Sequence, residues 1–380
     1  MDGIARQVVA SGTDATEVAN KIVEALAGPD LRLAFVFADW RLDPAVIAGV
    51  THRGLEAPVI GGTTIGVIGK GAPIDGVSAV GLGLYGDWLK VGLGVAQDLP
   101  KSPLTRSRDA VNHAATALGT TASALDPSRH VAVTMFDGTC GHEEAFCIGS
   151  AAAAPQIRFV GGASATEIGS GRRALIWVNG EVMSDAGVVV LLDSELPFHP
   201  LLSAHQLPTA IKTVVTAASG RIVDELDGYP AATRLRRLLA SIGDEVDEVR
   251  PTHSFARYID GVPYVRSLIG IEGERLHLAT AVENGHVLRV MRPGDLIGTT
   301  TSDLAIAAEK VGGSVAAMLL FSCLNRHWDA SSRGLERALA GAYSSYPTVG
   351  LQTHGEEMGM LLVNHTLTGL AIGRHRAGDR

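Results

Sequence analysis

A unit of buried strand, polar turn, helix and glycine-containing strand occurs three times in this 380-residue chain, and it constrains the fold strongly. The three glycine segments begin Val59-Ile60-Gly61-Gly62-Thr63-Thr64, Phe159-Val160-Gly161-Gly162-Ala163-Ser164 and Tyr346-Pro347-Thr348-Val349-Gly350-Leu351. Upstream of each, an apolar run ends in a polar turn: Ala38-Asp39-Trp40-Arg41, Asp137-Gly138-Thr139-Cys140 or Ser322-Cys323-Leu324-Asn325-Arg326. Because the same order of elements recurs, we predict a chain built from repeated supersecondary units.

The repeated unit predicts a mixed α/β (α+β) fold. Each copy supplies a strand-helix-strand crossover, and hairpin signals lie at residues 76–96, 174–192 and 212–226. Crossovers favour parallel strand pairs, whereas hairpins favour antiparallel pairs. We therefore expect mixed sheets with helices on their outer faces, built from repeated strand-helix-strand-hairpin units.

Two helix starts are marked by capping residues. Asp14 and Glu17 form a capping-box pattern ahead of an apolar stripe, which predicts a helix over residues 13–27. Further along, Asp43-Pro44 supplies an N-cap and a proline at the first helical position, so a second helix is expected there.

A shift in composition at residues 197–208 marks the predicted domain boundary. We predict a first domain at residues 1–204, which contains pseudo-repeats at 30–96 and 130–192, and a second domain at residues 205–380. A chain of this length can bury the cores of two domains of ordinary size.

The composition excludes several classes of protein. Hydrophobic residues make up 46% of the chain and charged residues 19%, which is typical of a well-buried globular protein. The net charge of −8 includes no long run of one sign, so nucleic acid is not expected as a partner. No apolar stretch reaches membrane-spanning length, and no secretory signal is expected. The three cysteines, Cys140, Cys147 and Cys323, are too few for a disulfide framework, and we expect a cytoplasmic protein.

Three segments of the second half carry a resemblance to a known family. They are Glu225-Leu226-Asp227-Gly228-Tyr229-Pro230-Ala231, Phe321-Ser322-Cys323-Leu324-Asn325-Arg326, and Pro347 to Glu356 followed by Asn364-His365-Thr366. In this order they resemble the FIST family of sensory proteins, which pair an N domain with a C domain; residues 33–100 and 130–192 are similar to the N domain. The resemblance implies a sensory protein of signal transduction that binds a small ligand, with amino acids as the inferred class. It also implies binding without catalytic turnover and a signalling protein as a partner in trans.

The predicted ligand site lies in the second half, where two strands end in polar residues. One strand delivers Ser322, Cys323 and Arg326, and the strand through Gly350 delivers Thr353, His354 and Glu356. If the two strands are parallel neighbours, both ends open at one edge of the sheet, where ligands collect. Arg326 is then expected to hold a carboxylate and Glu356 an ammonium group. The alternative is that these two charges pair with each other.

The glycine segments of the first half form a second candidate surface. Their candidate residues are Gly61, Gly62 and Thr63 in one segment and Gly161, Gly162, Ser164 and Glu167 in the other. Glycines at strand ends expose backbone N–H and C=O groups to a cleft, and Glu167 is a further acceptor for an ammonium group. The alternative interpretation is that the glycines serve only the close packing of strands and helices.

Two further functions stay open at this point. Cys140-Gly141-His142-Glu143-Glu144 places a thiol beside an imidazole, so a cysteine-dependent or other hydrolase is one alternative, although the acidic neighbours disfavour a thiolate. A haem-based gas sensor is the other, with His354 ahead of His327 as the iron ligand. None of the 13 histidines has a recognised metal-ligand spacing, so we predict no metal site and no required cofactor.

Overall fold

The computed structural model describes residues 3–72, 76–248, 250–259 and 261–374 of the chain. Within them the helices are α1 (Ala15–Leu26), α2 (Pro44–Gly54), α3 (Pro103–Ala117), α4 (Glu143–Ala153), α5 (Ala231–Ala240), α6 (Leu296–Lys310), α7 (Leu324–Ser332) and α8 (Glu336–Tyr343). None of these helices has the length and apolar character that crossing a membrane requires.

Strands occupy much of the remaining chain. In the first half they are β1 (Ala5–Ser11), β2 (Leu31–Asp39), β3 (Val59–Thr64), β4 (Val67–Gly69), β5 (Ser78–Tyr85), β6 (Leu89–Ala96), β7 (His130–Phe136), β8 (Arg158–Ala163), β9 (Ile176–Val178), β10 (Glu181–Met183) and β11 (Gly187–Ser194). In the second half they are β12 (Phe198–Ala204), β13 (Gln206–Ser219), β14 (Ile222–Leu226), β15 (Tyr229–Pro230), β16 (Ser254–Ile259), β17 (Val262–Glu272), β18 (Arg275–Leu278), β19 (Val287–Pro293), β20 (Val315–Cys323), β21 (Thr348–Thr353), β22 (Glu356–Met358), β23 (Leu361–Val363) and β24 (Thr366–Gly373).

Both predicted helix starts are confirmed by their caps. The Asp14 carboxylate accepts hydrogen bonds from the backbone N–H groups of Thr16 and Glu17, at 2.8 and 3.0 Å, and so satisfies donors that α1 leaves unpaired. Asp43 caps α2 in the same way, and Pro44 occupies its first turn. The two helices therefore begin where local chemistry places them.

Three strand-helix-strand crossovers occur at the repeated segments. In the first unit β2 and β3 flank α2, in the second β7 and β8 flank α4, and in the third β20 and β21 flank α7 and α8. The two strands of each unit are adjacent and parallel. Their carboxyl ends therefore lie side by side at one edge of the sheet.

One glycine of each unit is required by the contact between its two strands. A Cβ atom added to Gly61, Gly161 or Gly350 would lie 1.8, 2.2 or 2.1 Å from the carbonyl oxygen of Val36, Thr134 or Leu320, respectively. These are also the residues that face each glycine in the strand register. Since such distances are far below any nonbonded contact, close packing explains these glycines.

The described strands form four sheets. Their strand orders are β1-β5-β2-β3-β9-β10, β23-β22-β8-β7-β11-β6, β12-β24-β20-β21-β4 and β13-β19-β16-β17-β18-β14-β15. Each of the first three sheets contains the parallel pair of one unit among antiparallel neighbours. The first three sheets are therefore mixed, as predicted.

The first three sheets share one hydrophobic core. It includes Phe35 and Phe37 of the first unit, Val133 of the second, and Phe321 and Leu351 of the third. The rings of Phe37 and Phe321 are 6.3 Å apart between centroids. Helices cover the opposite faces: α1 and α2 pack on the first sheet, α3 and α4 on the second, and α6 and α8 on the third. The predicted mixed α/β fold with helices outside is confirmed.

The hairpin predictions had mixed outcomes. Residues 76–96 do not form a hairpin, because β5 pairs with β1 and β2 in the first sheet whereas β6 pairs with β11 in the second. Within 174–192, β9 and β10 form a hairpin across Asn179-Gly180, but β11 belongs to another sheet. The hairpin of β13 and β14 is confirmed. Alternating strand patterns thus located the strands but not their partners.

Strands from the two halves of the chain complete each other's sheets. Strand β4 of the first half pairs with β21, and β22 of the second half pairs with β8. The predicted boundary at residues 204 and 205 falls between β12 and β13, which belong to different sheets. That boundary stays a prediction.

Candidate functional site

The residues that follow the paired strands of the second and third units meet around one cavity of about 230 Å³. We call it the histidine compartment, after His354. Its lining from the units comprises Gly138, Thr139, Thr166, Glu167, Leu324, Asn325 and His354, and further residues include Ile168, Arg172, Arg221 and Ile269. It lies at the carboxyl ends of β7, β8, β20 and β21, the usual place for ligands of parallel strands.

A second cavity, of about 430 Å³, brings in the first unit. We call it the tryptophan compartment. Its lining comprises Trp40, Arg41, Ile65, Glu167, Ile168, Arg250, Ile269, Leu324, His327, Trp328 and Gln352. Since Glu167, Ile168, Ile269 and Leu324 line both cavities, the two compartments are adjacent, and we refer to them together as the cleft.

Hydrogen bonds close the three units into a ring beside this cleft. The Ala165 N–H donates to the Thr63 carbonyl at 2.8 Å, the Thr64 hydroxyl donates to the Gln352 carbonyl at 2.7 Å, and Nε2 of His354 lies 2.8 Å from the Thr166 carbonyl. Each of the three pairs of units is thus joined by one such contact, made by residues at or next to the carboxyl ends of the strands. These contacts between the units fix the positions of the segments that line the cleft.

His354 bridges two segments of the second unit. Its Nε2 lies 2.8 Å from the carbonyl oxygen of Thr166, and its Nδ1 lies 3.4 Å from that of Gly138. Burial lowers the pKa of His354, which favours a neutral ring at pH 7. The shorter contact assigns the proton to Nε2, which donates to Thr166. His354 therefore fixes the wall of the histidine compartment.

Glu167 occupies the junction of the two compartments. The residue is exposed, and it makes no ion pair with any other residue in the described ranges. Its charge still acts on the cleft: the pKa of Arg41 is raised, chiefly by the hydrogen bond to Asp39 and additionally by the negative charge of Glu167. Glu167 is thus an acceptor available to a cationic ligand group.

Arg172 supplies the complementary positive charge. Its guanidinium carbon lies 5.2 Å from the centroid of the Trp40 ring, a cation–π arrangement. Arg41 and Arg221, which also line the cleft, are neutralised by Asp39 and Glu143. Arg172 has no such carboxylate partner among the described residues, so its guanidinium can donate hydrogen bonds to an anionic ligand group.

The predicted residues at the end of β20 lie in the protein interior. Arg326 is completely buried, and it donates hydrogen bonds to Thr300 Oγ1 at 2.6 Å and to His205 Nδ1 at 3.3 Å. Ser322 hydrogen-bonds the hydroxyl of Tyr343 at 2.9 Å. The Cys323 thiol is buried, and burial raises its pKa well above the usual range.

The predicted residues of β21 and the following strand are also internal, except for His354. Glu356 is completely buried and accepts hydrogen bonds from the hydroxyls of Thr353 and Thr366, at 2.5 and 2.6 Å. Burial raises the pKa of Glu356 to about 8. Arg326 and Glu356 do not form an ion pair in the structure. Their predicted roles in holding a ligand stay predictions.

Most predicted residues of the first half pack or hydrogen-bond within and between the units. A Cβ atom on Gly62 would lie 2.7 Å from the Met135 side chain, and one on Gly162 would lie 2.8 Å from Thr353. Thr63 Oγ1 accepts a hydrogen bond from the Leu175 N–H at 3.0 Å, and Ser164 donates one to the Phe136 carbonyl at 3.2 Å. Gly61 and Gly161 face the neighbouring strands described above.

The structure thus brings Glu167 and His354 together on the cleft and adds residues that sequence reasoning missed. Trp40, Arg41, Thr139 and Asn325 belong to the polar turns of the repeated pattern, so their positions could have been inferred from it. Other lining residues, Arg172, Arg221, Ile269 and Trp328, lie outside those turns. No repeat signal marks them.

Cys140 follows Thr139, a lining residue of the histidine compartment, but the environment of its thiol disfavours the thiolate that a nucleophile needs. Burial, together with the charge of Glu143, raises the pKa of its thiol to about 12. Activated cysteines have depressed pKa values instead. Among the described residues, no group of three or more His, Cys, Asp and Glu side chains is arranged to hold a metal ion.

Comparison with known proteins identifies the family. Residues 8–229 match the FIST N domain and residues 231–358 match the FIST C domain. The chain belongs to the FIST family. FIST domains are sensory domains of signalling proteins, so this FIST protein carries a sensory module. The predicted resemblance is confirmed.

Other comparisons add little to the FIST assignment. No curated protein matches the sequence. Among solved structures, a cyanuric acid hydrolase from A. caulinodans is similar at 10% sequence identity and a TM-score of 0.35, over 98% of this chain and 99% of that chain.

Proposed function

We propose that this FIST protein senses a small molecule, an amino acid, which binds in the cleft and is not chemically altered. The observation that carries the proposal is the presence of an acid and a base on the same cleft, each without a charged partner among the described residues. Arg172 offers a planar guanidinium to the ligand carboxylate, and Glu167 offers a carboxylate to its ammonium group.

The size and lining of the cleft support this proposal. Cavities of about 230 and 430 Å³ lie within or near the size range of small-molecule sites. Apolar residues such as Ile269 and Leu324 alternate with a few polar groups, including Asn325, which is the usual composition of such sites.

Calorimetry with the standard amino acids tests the proposal, after a thermal-shift screen. A ligand at 100 times its dissociation constant adds about 2.7 kcal/mol to the free energy of unfolding, so binding is readily seen. We expect Glu167→Gln and Arg172→Gln to weaken binding about 10-fold or more, because each removes a charge-assisted hydrogen bond. The matched controls are Glu24→Gln on α1 and Arg108→Gln on α3, two exposed positions that should leave affinity unchanged.

The contrary results are equally specific. Folded Glu167→Gln and Arg172→Gln proteins that bind like the parent would move the site elsewhere. Turnover of an ester or amide that Cys140→Ala abolishes would establish a hydrolase instead. A Soret band lost in His354→Ala would establish a haem protein. The raised thiol pKa of Cys140 and the carbonyl contacts of both His354 nitrogens support the binding module over these two functions.

The setting proposed for this sensor is the cytoplasm, with a signalling protein as the recipient of its output. Cys140, Cys147 and Cys323 are all free thiols, which suits a reducing compartment. Crosslinking in cells with and without the identified amino acid would detect a ligand-dependent partner. Fractionation that finds the protein outside the cytoplasm would overturn this setting.

A further inference from the structure

Two tryptophans, Trp40 and Trp328, line the tryptophan compartment. The proposed contacts of Glu167 and Arg172 with the charged groups of an amino acid do not involve Trp328, and the Arg172 guanidinium covers only one face of the Trp40 ring. Trp40 follows β2 and Trp328 lies in α7; both are partly exposed. The other tryptophans, Trp88 and Trp177, are buried in the core at 9% and 0% exposure. Partly exposed indoles on the wall of a cavity provide broad apolar surfaces for a ligand.

The charged groups lie where the two compartments join. Glu167 lines both compartments, and the Arg172 guanidinium lies 5.2 Å from the centroid of the Trp40 ring. An amino acid held by both charges therefore has its α-carbon near the start of the tryptophan compartment. The isoleucines on this wall, Ile65, Ile168 and Ile269, extend the apolar surface beyond the charges.

The volume of the tryptophan compartment is much larger than a small side chain needs. At about 430 Å³ it leaves a methyl group without contact on most sides, whereas an aromatic ring can lie against an indole. We propose that the cleft is selective for amino acids with an aromatic side chain. This inference rests on the proposed function: Arg172 holds the carboxylate, Glu167 the ammonium group, and Trp40 and Trp328 the ring.

Calorimetry with four defined probes tests the selectivity. L-phenylalanine should bind about 10- to 100-fold more tightly than L-alanine, because its ring is buried against apolar surface. Phenethylamine, which lacks the carboxylate, and 3-phenylpropionate, which lacks the ammonium group, should each bind more weakly than L-phenylalanine. The difference between L-phenylalanine and phenethylamine should vanish in Arg172→Gln, and the difference between L-phenylalanine and 3-phenylpropionate should vanish in Glu167→Gln.

Substitution of the indole separates ring recognition from head-group recognition. Trp328→Ala should remove most of the preference for L-phenylalanine over L-alanine, whereas Trp328→Phe should keep that preference. Tyr258→Ala is the matched control, since Tyr258 is an exposed aromatic residue that stacks with Arg289 at 5.1 Å and lies outside the cleft lining. Near-ultraviolet circular dichroism confirms that each variant is folded.

The outcomes distinguish the inference from the proposed function. If L-alanine binds as tightly as L-phenylalanine and Glu167→Gln weakens both, the aromatic selectivity is overturned and the amino-acid site remains. The selectivity is also overturned if Trp328→Ala keeps the full preference for L-phenylalanine. If no amino acid binds to the parent protein, the proposed function fails together with the inference.

Discussion

The Thr366 hydroxyl donates a hydrogen bond of 2.6 Å to one carboxyl oxygen of Glu356, and the Thr353 hydroxyl donates to the other oxygen at 2.5 Å. The neighbouring Glu357 has a similar environment, since it accepts hydrogen bonds from Thr134 and Ser150. Both carboxyl groups are completely buried, and burial raises the pKa of each to about 8. Two protonated acids are therefore held inside the fold at neutral pH.

This burial predicts that the contribution of the two carboxyl groups to the free energy of unfolding falls as the pH rises from about 4.5 to about 8. In that range the unfolded chain has released the two protons and the folded chain still holds them, so increasing pH favours unfolding. Each carboxyl contributes a slope of about 1.4 kcal/mol per pH unit. Across this range, the free energy of unfolding of Glu356→Gln, measured in urea, should change with pH by about 1.4 kcal/mol per unit more positively than that of the parent, whereas Glu24→Gln should show the parental pH dependence. An unchanged slope in Glu356→Gln would refute the assignment.

A second prediction concerns the glycine that faces Leu320. Gly350→Ala should lower the free energy of unfolding by at least about 2 kcal/mol, because the new Cβ overlaps a backbone oxygen that cannot move freely. Gly341→Ala is the control: it lies in α8, is exposed, and has no atom within 4 Å of an added Cβ. That substitution should stabilise the protein by about 0.5–1 kcal/mol. Equal effects of the two substitutions would contradict the packing argument.

The thiol of Cys140 should react slowly with iodoacetamide. A pKa of about 12 reduces its thiolate fraction at pH 8, and greater intrinsic nucleophilicity restores only part of the rate. We expect alkylation on the order of 50-fold slower than for free cysteine, as measured by peptide mass spectrometry. Glu143→Gln should accelerate it, since the negative charge of Glu143 contributes to the raised pKa. Alkylation at the rate of free cysteine would reopen the nucleophile hypothesis.

A further prediction is that Arg326 stabilises the folded protein. Its replacement by alanine leaves a cavity and removes the hydrogen bonds that Arg326 donates to Thr300 and His205. The free energy of unfolding should therefore fall by about 3–5 kcal/mol. Arg275→Ala is a matched comparison, because Arg275 forms an ion pair with Asp224 in which both side chains are exposed, at 61% and 41%. Its loss should cost about 1 kcal/mol or less. Chemical unfolding of the two variants gives both values, and a loss as small as that of Arg275→Ala would contradict a structural role for Arg326.

Local signals in the sequence predicted much of the fold. The caps at Asp14 and Asp43 depend on neighbouring residues only, and the repeated pattern located all three parallel pairs. Strand partners were harder to predict, because β5 is buried along its whole length and its alternation cannot show which strands flank it. The pairing of β5 with β1 and β2 depends on contacts far apart in sequence.

The site was predicted less completely than the fold, for a related reason. Strand ends mark where a cleft can form, and the predicted residues Glu167 and His354 line the cleft of the structure, while their roles in binding stay predictions. The direction of each side chain at a strand end was not available from the pattern, so Arg326 and Glu356 were predicted at the edge although both are buried. Arg172 and Trp328 reach the cleft from a loop and a helix that no strand signal places there.

The pairing of β22 with β8 has a consequence for synthesis of the chain. Residues 356–363, which cover the edge of the second sheet, leave the ribosome nearly two hundred residues after β8. Until then the backbone edge of β8 is open, and such edges invite pairing with other strands. A nascent chain of the first half cannot reach its final sheet by itself, so shielding by a chaperone at this stage would favour correct folding.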